Sequence, residues 1–240
     1  MGVIRILAAI VFIISIPVAL VTSNIRFVAN EARVYRYAID EYNAVAKTGI
    51  EREELIRASA EIRDYFNNNE ETLAIRVHED GREVSLFNPR ETVHMEDVKD
   101  RFQAVNKAME FSVIYVIGYI AVVGLWAREV SLRGLAVQVA LGAGVCIAAI
   151  GAIGAFGAAG FDSAWEDFHE LMFSNDFWQL NPATDHLIQI FPPAFWESIV
   201  FFIGTLIMAE AVLIVLGALI YIGASRHQAS RRLKLAYATG

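Results

Sequence analysis

The sequence predicts a membrane protein, mainly α-helical. Four transmembrane helices carry a small α+β extracytoplasmic domain between the first and second and a helical interfacial loop between the third and fourth. Three observations predict this. First, 56% of the 240 residues are apolar and the mean hydropathy is +0.44, which is high for a soluble domain. Second, four apolar runs, at 6–23, 110–127, 134–159 and 197–222, are each long enough to cross a hydrocarbon core of about 30 Å as a helix. Third, the basic residues outside 24–109 are Arg5, Arg128, Arg133, Arg226, Arg231, Arg232 and Lys234. They fall at the N-terminus, between the second and third runs, and after the fourth. With four spans these places share one side, and their excess of Lys and Arg marks it as cytoplasmic.

The division that follows is 1–23 as the first transmembrane helix, 24–109 as the extracytoplasmic domain, 110–127 and 134–159 as the second and third spans, 160–196 as the outer loop, 197–222 as the fourth span and 223–240 as a cytoplasmic basic tail. Arg5 and the run behind it resemble a signal peptide. However, the run outlasts a typical h-region and Val21-Thr22-Ser23 is a poor cleavage site, so it reads as a retained span.

Within 24–109, residues 28–48 have a helical pattern that ends near Gly49. Residues 51–66 form a second helix with Leu55, Ile62 and Phe66 on one face, and Asn67-Asn68-Asn69 breaks it. Leu73, Ile75 and Val77 alternate before Asp80-Gly81, and Val84 and Leu86 follow. An Asp-Gly pair between alternating arms signals a hairpin, with His78 a solvated residue beside its turn. Pro89 ends the strand, Thr92 is the expected N-cap, and the next helix runs unbroken into the second span. His94 lies in its first turn, with Asp97 and Val98 following at helical spacing.

The third span is rich in glycine: Gly142, Gly144, Gly151, Gly154, Gly157 and Gly160. No strand precedes it and no Lys follows in phosphate-loop spacing, so close helix packing is the expected use. Cys146, the single cysteine, sits in mid-span, which excludes an internal disulfide and disfavours a reactive thiolate. Glu210 in the fourth span should face the bundle interior toward a polar partner, Gln138 or a tyrosine of the second span. It reads as a structural clasp in preference to a proton site.

The loop "FHELMFSNDFWQLNPATDHLIQIFPPAFW" (168–196) holds no Lys or Arg among its His, Asp, Asn and aromatic residues. Ser163 to Glu166 has a capping-box pattern and starts a helix with Trp165, His169 and Phe173 on one stripe. Asn175-Asp176 breaks it. Asn181 then caps a short helix, with Pro182 at its first position, that ends before Pro192-Pro193. Aromatics at a span boundary belong to the interfacial belt. His169, Asn175, Asp176 and Asp185 among them require partners or a function.

"RETVHMEDVKD" (90–100) and residues 168–196 resemble the two signature blocks of an integral membrane family that includes the bacterial lipoprotein intramolecular transacylases. The resemblance is specific in these blocks and extends to the four-span layout. It implies an acyltransferase of the bacterial cytoplasmic membrane whose substrate is a lipoprotein with a diacylglyceryl thioether on its N-terminal Cys. One acyl chain moves from the glyceryl sn-2 oxygen to the α-amino group of that Cys, giving a lyso-form lipoprotein. Carried onto matching positions, the catalytic residues are His94 and His169. Glu91, Asp97, Asn175, Asp176, Trp178 and Asp185 are supporting or substrate-binding residues. The implied partners are diacylated lipoproteins and membrane lipid, with no nucleic acid, no metal and no cofactor. The two histidines are expected to meet, among Phe168, Phe173 and Trp178, each with its ring fixed by one of Glu91, Asp97, Asn175 or Asp176.

The chemistry is aminolysis of an ester. An α-amino group has a pKa near 8 and imidazole near 6.5, so histidine is suited to relaying the amine's proton. Positioned acid–base catalysis contributes about 10²–10⁴, and holding amine and ester of one molecule in line contributes more. Two other readings remain. A metal-dependent hydrolase would use His169, Asp176, Asp185 and His186 as ligands, at a spacing that fits no familiar zinc pattern. A sensor or interaction protein without activity would lack an output domain in its short cytoplasmic parts.

Overall fold

The computed structural model describes residues 2–79, 81–126 and 132–238. Asp80 of the hairpin turn and Arg128 of the connection between the second and third spans lie outside them, as do the side chains of Arg231, Arg232 and Lys234. In chain order the elements are α1 (Val3–Asn30), α2 (Ala32–Glu41), α3 (Ala44–Thr48), α4 (Arg52–Asn67), β1 (Arg76–Glu79), β2 (Arg82–Ser85), α5 (Pro89–Tyr119) with a π-helical continuation Ile120–Trp126, α6 (Leu132–Ala159), α7 (Phe161–Met172), α8 (His186–Ile190) and α9 (Pro193–Ala238). Among the described residues, four helices are long and apolar enough to cross a membrane: Val3–Asn30, Pro89–Val123, Leu132–Ala159 and Pro193–His227. The chain is thus a multi-pass, mainly helical membrane protein with one small two-stranded sheet.

It forms two compact units. One comprises Met1–Ser23, Ala108–Ile153 and Gly204–Gly240, the other Asn24–Lys107 and Gly154–Ile203. In the first unit, Phe12 and Tyr119 stack with ring centroids 4.3 Å apart, and the Tyr115 hydroxyl donates to the Ala8 carbonyl at 3.0 Å. Pro17 lies inside α1 and has no N–H for the carbonyl of Ile13. Gly142 lies against that carbonyl: a Cβ there would stand 2.8 Å from Ile13 O and 2.7 Å from Ile16 Cδ1. The close-packing use predicted for the glycines therefore holds at Gly142. It does not hold at Gly144, Gly151 or Gly154, where a Cβ would meet nothing within 4 Å among the described residues. Cys146 is free and buried. Glu210 is exposed on α9, between the buried positions Ile207 and Ala211.

In the second unit, a core of Ile39, Ile50, Leu55, Ile62, Tyr65, Ile75, Val77 and Leu86 packs α2 and α4 against the hairpin. The helix expected over 28–48 is three pieces. α1 continues to Asn30, and Glu31 turns extended to cap α2 by accepting the Arg33 N–H at 3.1 Å. Asn43, at φ 54°, then separates α2 from α3, a left-handed conformation that Asn tolerates. On α4, Tyr65 is the buried ring and Phe66 is only half-buried. β1 and β2 pair antiparallel with Glu79 opposite Arg82, and Gly81 supplies the positive φ of 74° that the tight turn needs. His78 is exposed, as expected of a residue beside the turn.

Candidate active site

The start of α5 sets the first histidine. Asn88, not Thr92, is the cap. Its side-chain oxygen accepts the Glu91 N–H at 3.0 Å while Glu91 Oε2 accepts the Asn88 N–H at 2.8 Å, a reciprocal capping box with Pro89 at the first helical position. Thr92 lies one turn in and its hydroxyl donates to the Asn88 carbonyl. Glu91 is 1% exposed, and its other oxygen accepts the Leu187 N–H at 2.6 Å. Asn88 Nδ2 donates to Asp185 Oδ1 at 3.0 Å, and Asp185 also accepts from the Asn181 N–H and the Thr184 hydroxyl. Glu91 and Asp185 thus lace the start of α5 to the start of α8 and are consumed in doing so. α8 itself is shorter than expected. Asp185 precedes it, and Asn181 makes a turn with the Ala183 N–H before it.

The second histidine lies on α7. This helix begins three residues earlier than the Ser163 pattern suggests, after Gly160, with the Ser163 hydroxyl donating to the Gly160 carbonyl. Trp165, His169 and Phe173 share one stripe, as their spacing predicts. His169 Nδ1 lies 2.6 Å from the Trp165 carbonyl. A carbonyl only accepts, so Nδ1 carries the hydrogen and Nε2 carries the lone pair of the neutral ring.

The two imidazoles, far apart in sequence, stand with ring centroids 6.2 Å apart and planes inclined by 36°. No hydrogen bond joins them. Both residues are 7% exposed. Phe173 touches both rings, at 5.2 Å from His94 and 5.8 Å from His169. Trp165 meets the His169 ring edge-on at 4.5 Å, Trp178 lies over it at 4.9 Å, and Phe168 stands at 5.3 Å. The enclosure has an electrostatic consequence. His94 lies in the charged first part of α5, before the apolar stretch at 110–127, and burial with the neighbouring His169 pushes its pKa down to about 4 despite the opposing charge of Asp97. Burial also lowers His169, against the pull of its hydrogen bond to Trp165. Both rings are therefore neutral near pH 7. His94 Nδ1 is buried without a hydrogen-bond partner among the described residues.

The predicted supporting residues divide into three groups. Asp97, Asn175 and Trp178 gather at the pair: Asn175 Nδ2 donates to Asp97 Oδ2 at 2.9 Å, and Asn175 Oδ1 accepts the Phe177 N–H at 3.1 Å. Glu91 and Asp185 belong to the lacing described above. Asp176 contributes its carbonyl, which accepts from Arg90 and from the Gln179 N–H, while its side chain is exposed. None of the four residues expected to fix the rings does so; the Trp165 main chain takes that role at His169. Main-chain partners leave no mark in side-chain composition. Asn88 was legible, because Asn-Pro-x-Glu has the pattern of a capped helix start. The rival metal set disperses. His186 Nδ1 bonds the Leu86 carbonyl at 2.7 Å, Asp185 is engaged with Asn88, and among the described residues no three His, Cys, Asp or Glu side chains converge as metal ligands.

Residues 10–196 match the family model described as lipoprotein intramolecular transacylase Lit. No curated protein sequence matches. Among solved structures, the fold is similar to that of the membrane-integral lipoprotein intramolecular transacylase Lit from Bacillus cereus, with a TM-score of 0.78 at 19% identity over 95% of this chain and 100% of that one. Two further structures of that protein, in which a histidine is replaced by arginine or by alanine, match with TM-scores of 0.73 at 18% identity over 92% of this chain and 93% and 94% of theirs.

Proposed function

The chain belongs to the lipoprotein intramolecular transacylase family, and we propose that it moves one acyl chain within a diacylated lipoprotein, from the glyceryl sn-2 oxygen to the α-amino group of the N-terminal Cys, through the paired imidazoles of His94 and His169. The observation that carries this reading is the 6.2 Å approach of two buried neutral rings, one of them locked with Nε2 as its free base.

Each component has a use. The amine attacks the ester carbonyl carbon, the bond from that carbon to the sn-2 oxygen breaks, and the nitrogen loses a proton while the glyceryl oxygen gains one. His169 Nε2 accepts the amine's proton. The imidazolium so formed returns that proton to the departing oxygen. A neutral His94 keeps one N–H to offer the oxyanion of the tetrahedral intermediate. Phe168, Phe173 and the two tryptophans keep water from competing with the amine. The substrate supplies nucleophile and ester in one molecule, so alignment is the main demand on the protein. The side of the membrane at which this occurs follows, in our reading, from the basic-residue pattern: the site is extracytoplasmic and both termini are cytoplasmic.

The transfer is an isomerisation, so it leaves the mass of the lipoprotein unchanged. Co-expression of a diacylated lipoprotein with the full chain should give an N-terminal peptide of unchanged mass whose α-amine no longer reacts with an amine label and whose fragments place one acyl group on nitrogen. Loss of one acyl mass with a free amine would mean a hydrolase. An unmodified N-terminus beside folded protein would mean a non-enzymatic role.

A further inference from the structure

We propose that the Asp97–Asn175 pair is a subsite for the substrate's α-ammonium group. This rests on the transacylase reading and specifies how the amine is received. Asp97 is half-buried on α5, less than a turn beyond His94, and one oxygen is held by Asn175 Nδ2 at 2.9 Å. The Asn175 amide is oriented from both ends. Its oxygen is occupied by the Phe177 N–H, so its nitrogen must face Asp97, and Asp97 is the acceptor. A carboxylate has about four lone-pair positions, and Asn175 uses one.

No cation among the described residues fills the rest. Among the described residues Asp97 has no ion-pair partner. The stretch 160–196 contains no Lys or Arg. Of the cations close to it in sequence, Arg90 donates to the Asp176 carbonyl, Lys99 donates to Asn68 Oδ1 and the Glu70 carbonyl with its ammonium 3.9 Å from the Tyr65 ring centre, and Arg101, one turn further along α5, is exposed and makes no ion pair with Asp97 among the described residues. A half-enclosed negative charge without a counter-ion is unfavourable unless a ligand brings one. A primary ammonium suits that carboxylate. It has three N–H donors and unit positive charge, and at neutral pH most of an α-amine with pKa near 8 is in that form. An amine received in that form passes its extra proton to His169 and on to water before attack; Asp97 positions the nitrogen and takes no part in bond making.

The test uses the full chain in lipid nanodiscs and a short peptide whose N-terminal Cys bears a dialkylglyceryl thioether. Its ether linkages cannot transfer, so only binding is read. The peptide is compared with its α-N-acetyl form, which has the same chains but no charge. Wild type should bind the free amine at least about tenfold more tightly, the size of one charge-assisted hydrogen bond. Asp97→Asn should reduce that preference to about twofold or less, Asp97→Glu should restore part of it, and His169→Ala should keep it. If Asp97→Asn does not fold, Asn175→Ala, which leaves the carboxylate unbraced, should show a weakened preference. Absence of a preference in wild type, or its survival in Asp97→Asn, overturns the subsite. If the preference is present but the lipoprotein N-terminus stays unmodified in cells, the transacylase reading fails and the ammonium subsite stands.

Discussion

One hydrogen bond decides which nitrogen of His169 is able to act as a base. The Trp165 carbonyl holds Nδ1–H, so only Nε2 faces the reaction with a lone pair. His94 has no such restraint and fits the less demanding role of donor. Replacing either residue by Ala should lower turnover by about 10² or more with little change in thermal unfolding, measured on detergent-purified protein with the amine-label assay. Equal activity in the double variant would remove the histidines from the mechanism. The pH dependence follows from the sign of the shifts. Both rings have pKa values below the ordinary 6.5, so the neutral, base-competent form persists as pH falls past 6.5 and is lost only further down. NMR titration of the imidazole resonances should therefore give midpoints below pH 6.5 for both rings; midpoints at or above that value would mean that the rings are solvated in the working enzyme. Cys146 is buried in the first unit, and Cys146→Ser should keep most of the activity.

At the scale of elements, the site depends on how α5 begins. Asn88, Pro89 and Glu91 start the helix, and the same Glu91 and Asn88 reach across to Leu187 and Asp185. The block that carries His94 is therefore fastened to the segment that follows α7. Glu91→Ala would leave two main-chain N–H groups without an acceptor, one of them the buried Leu187 N–H, and should lower stability by about 2–4 kcal/mol. Asn88→Ala should cost about 1 kcal/mol, as for other lost caps. Denaturant unfolding of the solubilised protein checks both. The fraction of Glu91→Ala that remains folded should retain its turnover, since Glu91 touches neither ring; loss of turnover without loss of stability would make Glu91 part of the chemistry. These elements also show what local sequence can tell. Asn-Pro-x-Glu, the alternation around Gly81 and the Trp165, His169, Phe173 stripe are short-range patterns with short-range causes, and they are visible in the chain. The break at Glu31, the five-residue extent of α8 and the Trp165 carbonyl as ring partner depend on main-chain conformation, which residue types encode only weakly.

For the molecule as a whole, the four spans were legible because a hydrocarbon core demands length and apolarity in one continuous stretch. The meeting of His94 with His169 was not legible from periodicity. It rests on packing between α5 and α7 within the second unit, and only the resemblance of the two blocks pointed to it. The orientation we propose follows a different logic, since it rests on charges and not on packing. Arg5, Arg133 and Arg226, with Arg128, Arg231, Arg232 and Lys234, flank the spans on the side shared by the N-terminus, the connection between spans two and three, and the C-terminal tail. Moving this many cations across a membrane held negative inside is unfavourable, and an even number of spans leaves no other way to keep them together. The proposed reaction adds a requirement: the diacylglyceryl Cys lies at the outer headgroup level, so 24–109 and 160–196 must face outward for His94 and His169 to reach it. A reporter that is active only in the cytoplasm should therefore work when fused after Gly240 and fail when inserted after Gly81, in the exposed hairpin turn. An externally active reporter should show the reverse. If the Gly81 insertion reports cytoplasm, the charge argument is wrong for this chain, and the two histidines would be separated by the bilayer from the lipoprotein ester they are proposed to cleave.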